Sequence, residues 1–218
     1  MIICDKHIEY ASIKRMRDIM VSIPDQDEVT HTYAMFTTIL CWTVQRLRSG
    51  PNCKDAMGKK AHELWKTLER ESIEDSPWCI RTSAFVMDDK VRDISHTKSF
   101  PEFKGFKVSK FLTVLRNSVA HGDGRNIRPI NIKIKGKQYL NSYEFTCTDK
   151  KNKCDKNSHK PAQKLDIDAP WAGKIELTRA DMRDLGREVA DRFCNALAAD
   201  DEEFVRYANQ IGERGRAA

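Results

Sequence analysis

No apolar run in the 218-residue sequence approaches the roughly 18 residues that a membrane-spanning helix needs, so no membrane partner is expected. The opening Met1-Ile2-Ile3-Cys4-Asp5-Lys6 lacks the basic-then-apolar order of a secretory signal, which makes the cytoplasm the expected compartment. There is no internal repeat and no separate linker, and the simplest count is one domain over 1–218. The seven cysteines (Cys4, Cys41, Cys53, Cys79, Cys147, Cys154, Cys194) are scattered and odd in number, and a reducing compartment disfavours a disulfide framework. Several fall among apolar neighbours, where a free thiol packs as a small hydrophobe. Cys147, Cys154 and His159 match no common zinc spacing and have no evident fourth ligand, so neither a metal nor a cofactor is expected.

What is present is the composition of a globular domain, with 32% charged and 40% hydrophobic residues. Residues 5–22 read as a helix with Ile13, Met16, Ile19 and Met20 apolar, closed by Pro24. A second helix over 29–48, stopped by Gly50-Pro51, carries Val29, Tyr33, Phe36, Leu40, Val44 and Leu47 on one face. Met35, Ile39 and Trp42 make a second apolar stripe on it. Such a helix is either central to its own core or shared with a partner subunit. A third helix over 55–69 carries Leu64, Trp65 and Leu68. Ser76-Pro77 reads as the cap and first residue of a helix running to about residue 94, with Trp78, Phe85 and Val91 buried. Thr178, with Asp181 three residues on, caps a last long helix whose apolar face is Met182, Leu185, Val189, Phe193 and Leu197. A short helix over 200–211 could follow.

Between these helices the period changes to two. Ile130, Ile132 and Ile134 alternate with Asn131, Lys133 and Lys135, and Gly136 offers a turn. Tyr139, Tyr143, Phe145 and Cys147 continue the alternation with one gap. Leu165 and Ile167, then Ile175 and Leu177, read as further short strands around a polar loop over 148–160. The fold class expected is therefore mainly α, a helical bundle with a small antiparallel sheet inserted at about 127–177. From Lys133 to Lys164 there are nine lysines against Glu144, Asp149 and Asp155, a surplus of six that equals the net charge of the whole chain. A phosphate backbone would be drawn to such a patch, and a solvated loop kept soluble by lysine would look the same.

The helix predicted over 107–121 carries the stretch with most chemical content, Arg116-Asn117-Ser118-Val119-Ala120-His121-Gly122-Asp123. Val108, Phe111, Leu112, Leu115 and Val119 form its buried stripe. Lys110, Thr113, Asn117 and His121 lie opposite, with Asn117 and His121 four apart and so one above the other. Arg116 sits on the flank, within reach of both. Gly122 can end the helix, and the last-turn position favours a protonated imidazole at His121. On helix geometry alone, an anion-binding set and an ordinary polar helix end fit equally.

Arg116-Asn117, three residues, then His121 resembles the R-x4-6-H signature of the HEPN superfamily, in which a polar residue commonly follows the arginine. The continuation Ala120-His121-Gly122-Asp123 is similar as well. The resemblance implies a HEPN-like bundle and a metal-independent endoribonuclease working as a homodimer, with a composite site at the interface. It implies Arg116 and His121 as catalytic and Asn117 as their support. A histidine suits proton transfer to and from RNA oxygens, and an arginine suits the phosphate through paired donors and a permanent charge. The same superfamily includes non-catalytic nucleotide- or RNA-binding modules and components of toxin–antitoxin and defence systems, so an antitoxin or regulatory protein is a further expected partner. A purely structural helical adaptor is the third reading.

Overall fold

The computed structural model describes residues 8–22, 29–49, 55–73, 78, 85–86, 107–120, 126–149 and 171–198. These residues are mainly helical, with a small antiparallel sheet, and they fall into two compact units. No helix among them is long and apolar enough to cross a membrane.

The first unit, Met1–Glu71 with Arg179–Ala218, holds helices α1 (Ile8–Ser22), α2 (Val29–Ser49) and α3 (Ala56–Leu68), together with the last helix, Arg179–Ala198. Helix α2 packs on each of the other three. That position explains its two apolar stripes: Phe36, Leu40, Val44 and Leu47 are buried, and so is Ile39 of the second stripe. Met35 is half-buried and Trp42 stays 37% exposed, so Ile39 is the one residue of the second stripe that packing within the unit fully buries. In the last helix all five residues of the predicted face are buried. In α1, Ile13 and Met20 are buried, whereas Ile19 is exposed.

Charged groups join the helix ends. Arg46 donates through Nε to Glu9 at 3.0 Å and through Nη2 to Asp55 Oδ1 at 2.8 Å, tying α2 to α1 and to the start of α3. Asp55 also caps α3 by accepting from the Gly58 backbone N–H at 2.7 Å, and that bond, helped by Arg46, holds its carboxyl below the usual range. Arg192 likewise donates to Glu188 at 2.8 Å and to Glu71 at 2.6 Å.

The second unit, Ser72–Thr178, is a four-stranded antiparallel sheet with one helix. Its elements are β1 (Phe85–Val86), α4 (Val108–Ala120), β2 (Ile127–Ile134), β3 (Lys137–Asp149) and β4 (Trp171–Thr178), so the last helix is α5. The sheet order is β1-β4-β3-β2, and α4 packs on β3. One expectation is corrected here. The segment expected to continue a helix to residue 94 contains a strand at Phe85–Val86, paired with Ile175 and Lys174. An aromatic and a β-branched residue suit an extended edge, and their pairing with β4 is a long-range contact that helical spacing does not register. The sheet and α4 share one compact unit that begins at Ser72. The predicted strands at 165–167 and the helix at 200–211 lie outside the described residues.

The β2–β3 hairpin closes through Lys135 and Gly136, both at positive φ (47° and 82°), the two-residue turn whose twist matches paired strands. The register then slips between Ile130 and Asn131, leaving Asn141 of β3 as a bulge. That bulge is the gap in the alternation from Tyr139 to Tyr143.

Two outcomes test this packing. The Thr32 hydroxyl is fully buried and has no hydrogen-bond partner among the described residues, so Thr32→Val is expected to raise stability by about 1 kcal/mol in urea unfolding; a loss would mean that the hydroxyl is bonded. Burial, with Asp191 adding, pushes the Cys194 thiol up from 9.0 to about 12, and burial next to Cys194 pushes Tyr10 up from 10.0 to about 12. Both raised values mean that the folded state holds extra protons above pH 9. Stability is therefore intact below about 9 and lost as pH rises from there to about 12, and Cys194→Ala should flatten that loss in melting curves.

Candidate functional site

Helix α4 is fixed before its chemistry begins. Ser72 forms a β-bridge with Lys107, and the first turn closes with the Phe111 N–H donating to Lys107 O at 2.9 Å. Val108, Ser109, Phe111, Leu112, Val114, Leu115 and Ser118 are all buried, a wider face than the predicted stripe, while Val119 is half-buried. Two hydroxyls of the helix bond back to its own carbonyls. The Ser118 hydroxyl donates to Leu115 O at 2.6 Å, and Ser109 O accepts from the Thr113 hydroxyl at 2.8 Å. With seven of thirteen side chains buried, the strip left outward is narrow: Lys110, Thr113, Arg116, Asn117 and Ala120.

Arg116 and Asn117 meet on that strip. Arg116 Nη1 donates to Asn117 Oδ1 at 3.1 Å, and both side chains are half-buried. Neighbours on a helix point about 100° apart, so the bond draws the guanidinium round from the flank toward the outward side. Its polarity matters more than its strength. With the Asn117 oxygen engaged, the remaining groups of that amide are N–H donors, and they have no partner among the described residues. The Arg116 side chain carries only donors as well. A surface of donors around a positive charge is complementary to an anionic oxygen.

Of the predicted site residues, the structure therefore brings Arg116 and Asn117 together, while His121, Gly122 and Asp123 lie outside the described residues. Cys154 and His159 lie outside them too, and Cys147 is placed as a backbone position in β3. Among the described residues no group of three His, Cys, Asp or Glu side chains could hold a metal.

A second surface of this unit overlaps the start of the lysine-rich stretch read in the sequence, but its exposed apolar side chains were not expected there. Ile132, Ile134 and Tyr139 are 39%, 49% and 48% exposed at the hairpin end, with Ile132 directly opposite Tyr139. Further along, Arg128, Glu144 and Glu176 stand opposite one another on β2, β3 and β4, with the buried Ser142 hydroxyl bonded to Glu176. The signal for the hairpin was the absence of any acidic residue from Asn126 to Tyr143.

No protein-family model matches the chain, no curated protein matches it, and no solved structure matches it. The site thus stands on its own residues and on the short motif.

The donor pair predicts a measurable affinity. Inorganic phosphate should shift the side-chain amide resonances of Asn117, and Arg116→Ala should weaken that response about tenfold, as expected for loss of a charge-assisted bond. An Asn117 signal indifferent to phosphate would remove the anion site.

Proposed function

We propose that the chain is a metal-independent endoribonuclease with a HEPN-like composite site at a homodimer interface. The observation that carries this reading is the Arg116–Asn117 contact, a donor-only pair one helical turn before His121. The reading needs Arg116 and Asn117 to address one anion together, and their contact supports that.

The chemistry follows from what RNA cleavage requires. The ribose 2′-hydroxyl must lose its proton as its oxygen bonds to phosphorus. The P–O5′ bond then breaks, and the departing oxygen must gain a proton. His121 as the neutral imidazole accepts the first proton, and a protonated His121 from the second subunit delivers the other. Two subunits related by a two-fold axis supply both forms to one phosphate, which a single histidine could not do in line. Arg116 binds the non-bridging oxygens as the pentacoordinate charge builds, where preorganised donors contribute most. Asn117 holds the guanidinium and offers its own N–H groups to the same anion. The products are a 2′,3′-cyclic phosphate and a free 5′-hydroxyl.

The direct test is cleavage of mixed cellular RNA by purified protein in EDTA. His121→Ala should abolish it and Arg116→Ala should lower it at least 100-fold, about 3 kcal/mol of lost transition-state stabilisation, with folding unchanged. Specific activity should also fall on dilution below the dimer dissociation constant. Full activity of His121→Ala would sink the assignment. RNA binding without cleavage by the wild type would make the chain a binding module instead.

A further inference from the structure

We propose that the end of the β2–β3 hairpin is a binding platform for single-stranded RNA, in which Tyr139 with Ile132 and Ile134 receives bases, Arg128 and Lys137 beside them receive phosphates, and Lys133 and Lys135 on the other face strengthen the positive field. The choice of RNA among polyanions rests on the ribonuclease reading above.

The platform follows from a departure from the usual strand pattern. An amphipathic edge strand normally turns its β-branched residues inward and its polar residues outward. On β2 the isoleucine side is left open. Ile132 and Ile134 are exposed, Ile130 is half-buried, and the intervening Asn131 and Lys133 are exposed as well. Register places Tyr139 opposite Ile132 and Lys137 opposite Ile134, so a phenol ring, two isoleucines and an ammonium share one face of the hairpin. Leaving three large apolar side chains 39–49% exposed at one end costs solvation that a packed partner would recover.

Charge selects the partner. From Asn126 to Tyr143 there are four basic residues and no acidic one. Lys133, Lys135 and Lys137 are exposed and make no ion pair among the described residues. Arg128 reaches Glu144 only at 3.8 Å with its side chain 67% exposed. A second copy of the same hairpin would bring four positive charges against four, so self-association on this face is opposed. A polyanion with flat apolar faces fits both features at once. Single-stranded RNA alternates phosphates with bases that stack on an aromatic ring, whereas a duplex hides those bases. From Arg128 to Lys135 the strand spans about 23 Å at ~3.3 Å per residue, enough for the roughly four nucleotides at the lower end of known single-strand sites.

The test uses full-length protein carrying His121→Ala, so that binding is read without cleavage, and a fluorescent 20-nucleotide single-stranded RNA followed by anisotropy across a salt series. Replacing Lys133, Lys135 and Lys137 together with glutamine should weaken binding at least tenfold at low salt. It should also lower the slope of log affinity against log salt by at least ~0.7, the phosphate contact of Lys137. Tyr139→Ala should cost about fivefold or more and Tyr139→Phe should restore it, because stacking needs the ring and not the hydroxyl. All four positions are exposed, so unchanged melting temperatures are expected. Wild-type affinity and slope in the lysine variant, or indifference to Tyr139→Ala, would overturn the platform. So would tighter binding to duplex RNA, or to phosphatidylserine vesicles, than to the single strand. Hairpin-dependent binding by a wild type that never cuts RNA would uphold the platform and overturn the nuclease.

Discussion

The breadth of the buried face of α4 is the constraint on which the candidate site depends. Seven buried side chains in thirteen residues leave the helix one way to lie on its sheet, and rotating it would expose Phe111, Leu112 or Leu115. Only a narrow strip remains for chemistry, and Arg116 and Asn117 occupy its last turn. The buried Ser118 hydroxyl and the half-buried Thr113 hydroxyl return their hydrogen bonds to α4's own backbone. Rigid support below and a donor pair above are what an anion site on a helix requires.

The helical unit achieves order differently. Its core is built around α2, and its periphery is held by arginines that each serve two carboxylates, Arg46 between Glu9 and Asp55, Arg192 between Glu188 and Glu71, Arg17 between Asp18 and Asp191. Each guanidinium has enough donors to bridge two helices at once, which a lysine point charge does less well. Between α1 and α5, Gly186 admits Met20 and Phe36 so closely that an added Cβ would stand 2.9 Å from the Met20 methyl group, and the neighbouring Cys194 thiol lies 3.9 Å from Tyr10 O. Helix α4 and the hairpin lie in the other unit, which holds fewer of the buried apolar side chains among the described residues.

How far the sequence spoke depended on the range of the contacts. Helix α5 was legible in full, since Met182, Leu185, Val189, Phe193 and Leu197 repeat at helical spacing and all are buried. Helices α2 and α4 were legible to within a residue or two at each end. The strand at Phe85–Val86 was not, because Trp78, Phe85 and Val91 are six or seven apart and do not separate helix from strand, and only β4 reveals the pairing. Alternation in β2 identified a strand but could not say which side is covered, and from Asn131 to Ile134 neither side is. Arg116 and Asn117 were placed correctly at the helix end, but neither spacing nor charge told that they bond to each other. The motif is short, and everything said of its histidine comes from its position four residues after Asn117.

The most direct measurement of the central claim, that α4 presents a guanidinium and an amide to a scissile RNA phosphate, is the chemistry of the ends left when the protein cuts a defined RNA strand in EDTA. The account predicts 2′,3′-cyclic phosphate and 5′-hydroxyl ends, and no cut where the scissile nucleotide carries a 2′-deoxyribose. Ends bearing 3′-hydroxyl and 5′-phosphate, or cleavage that ignores the 2′-deoxy substitution, would contradict it.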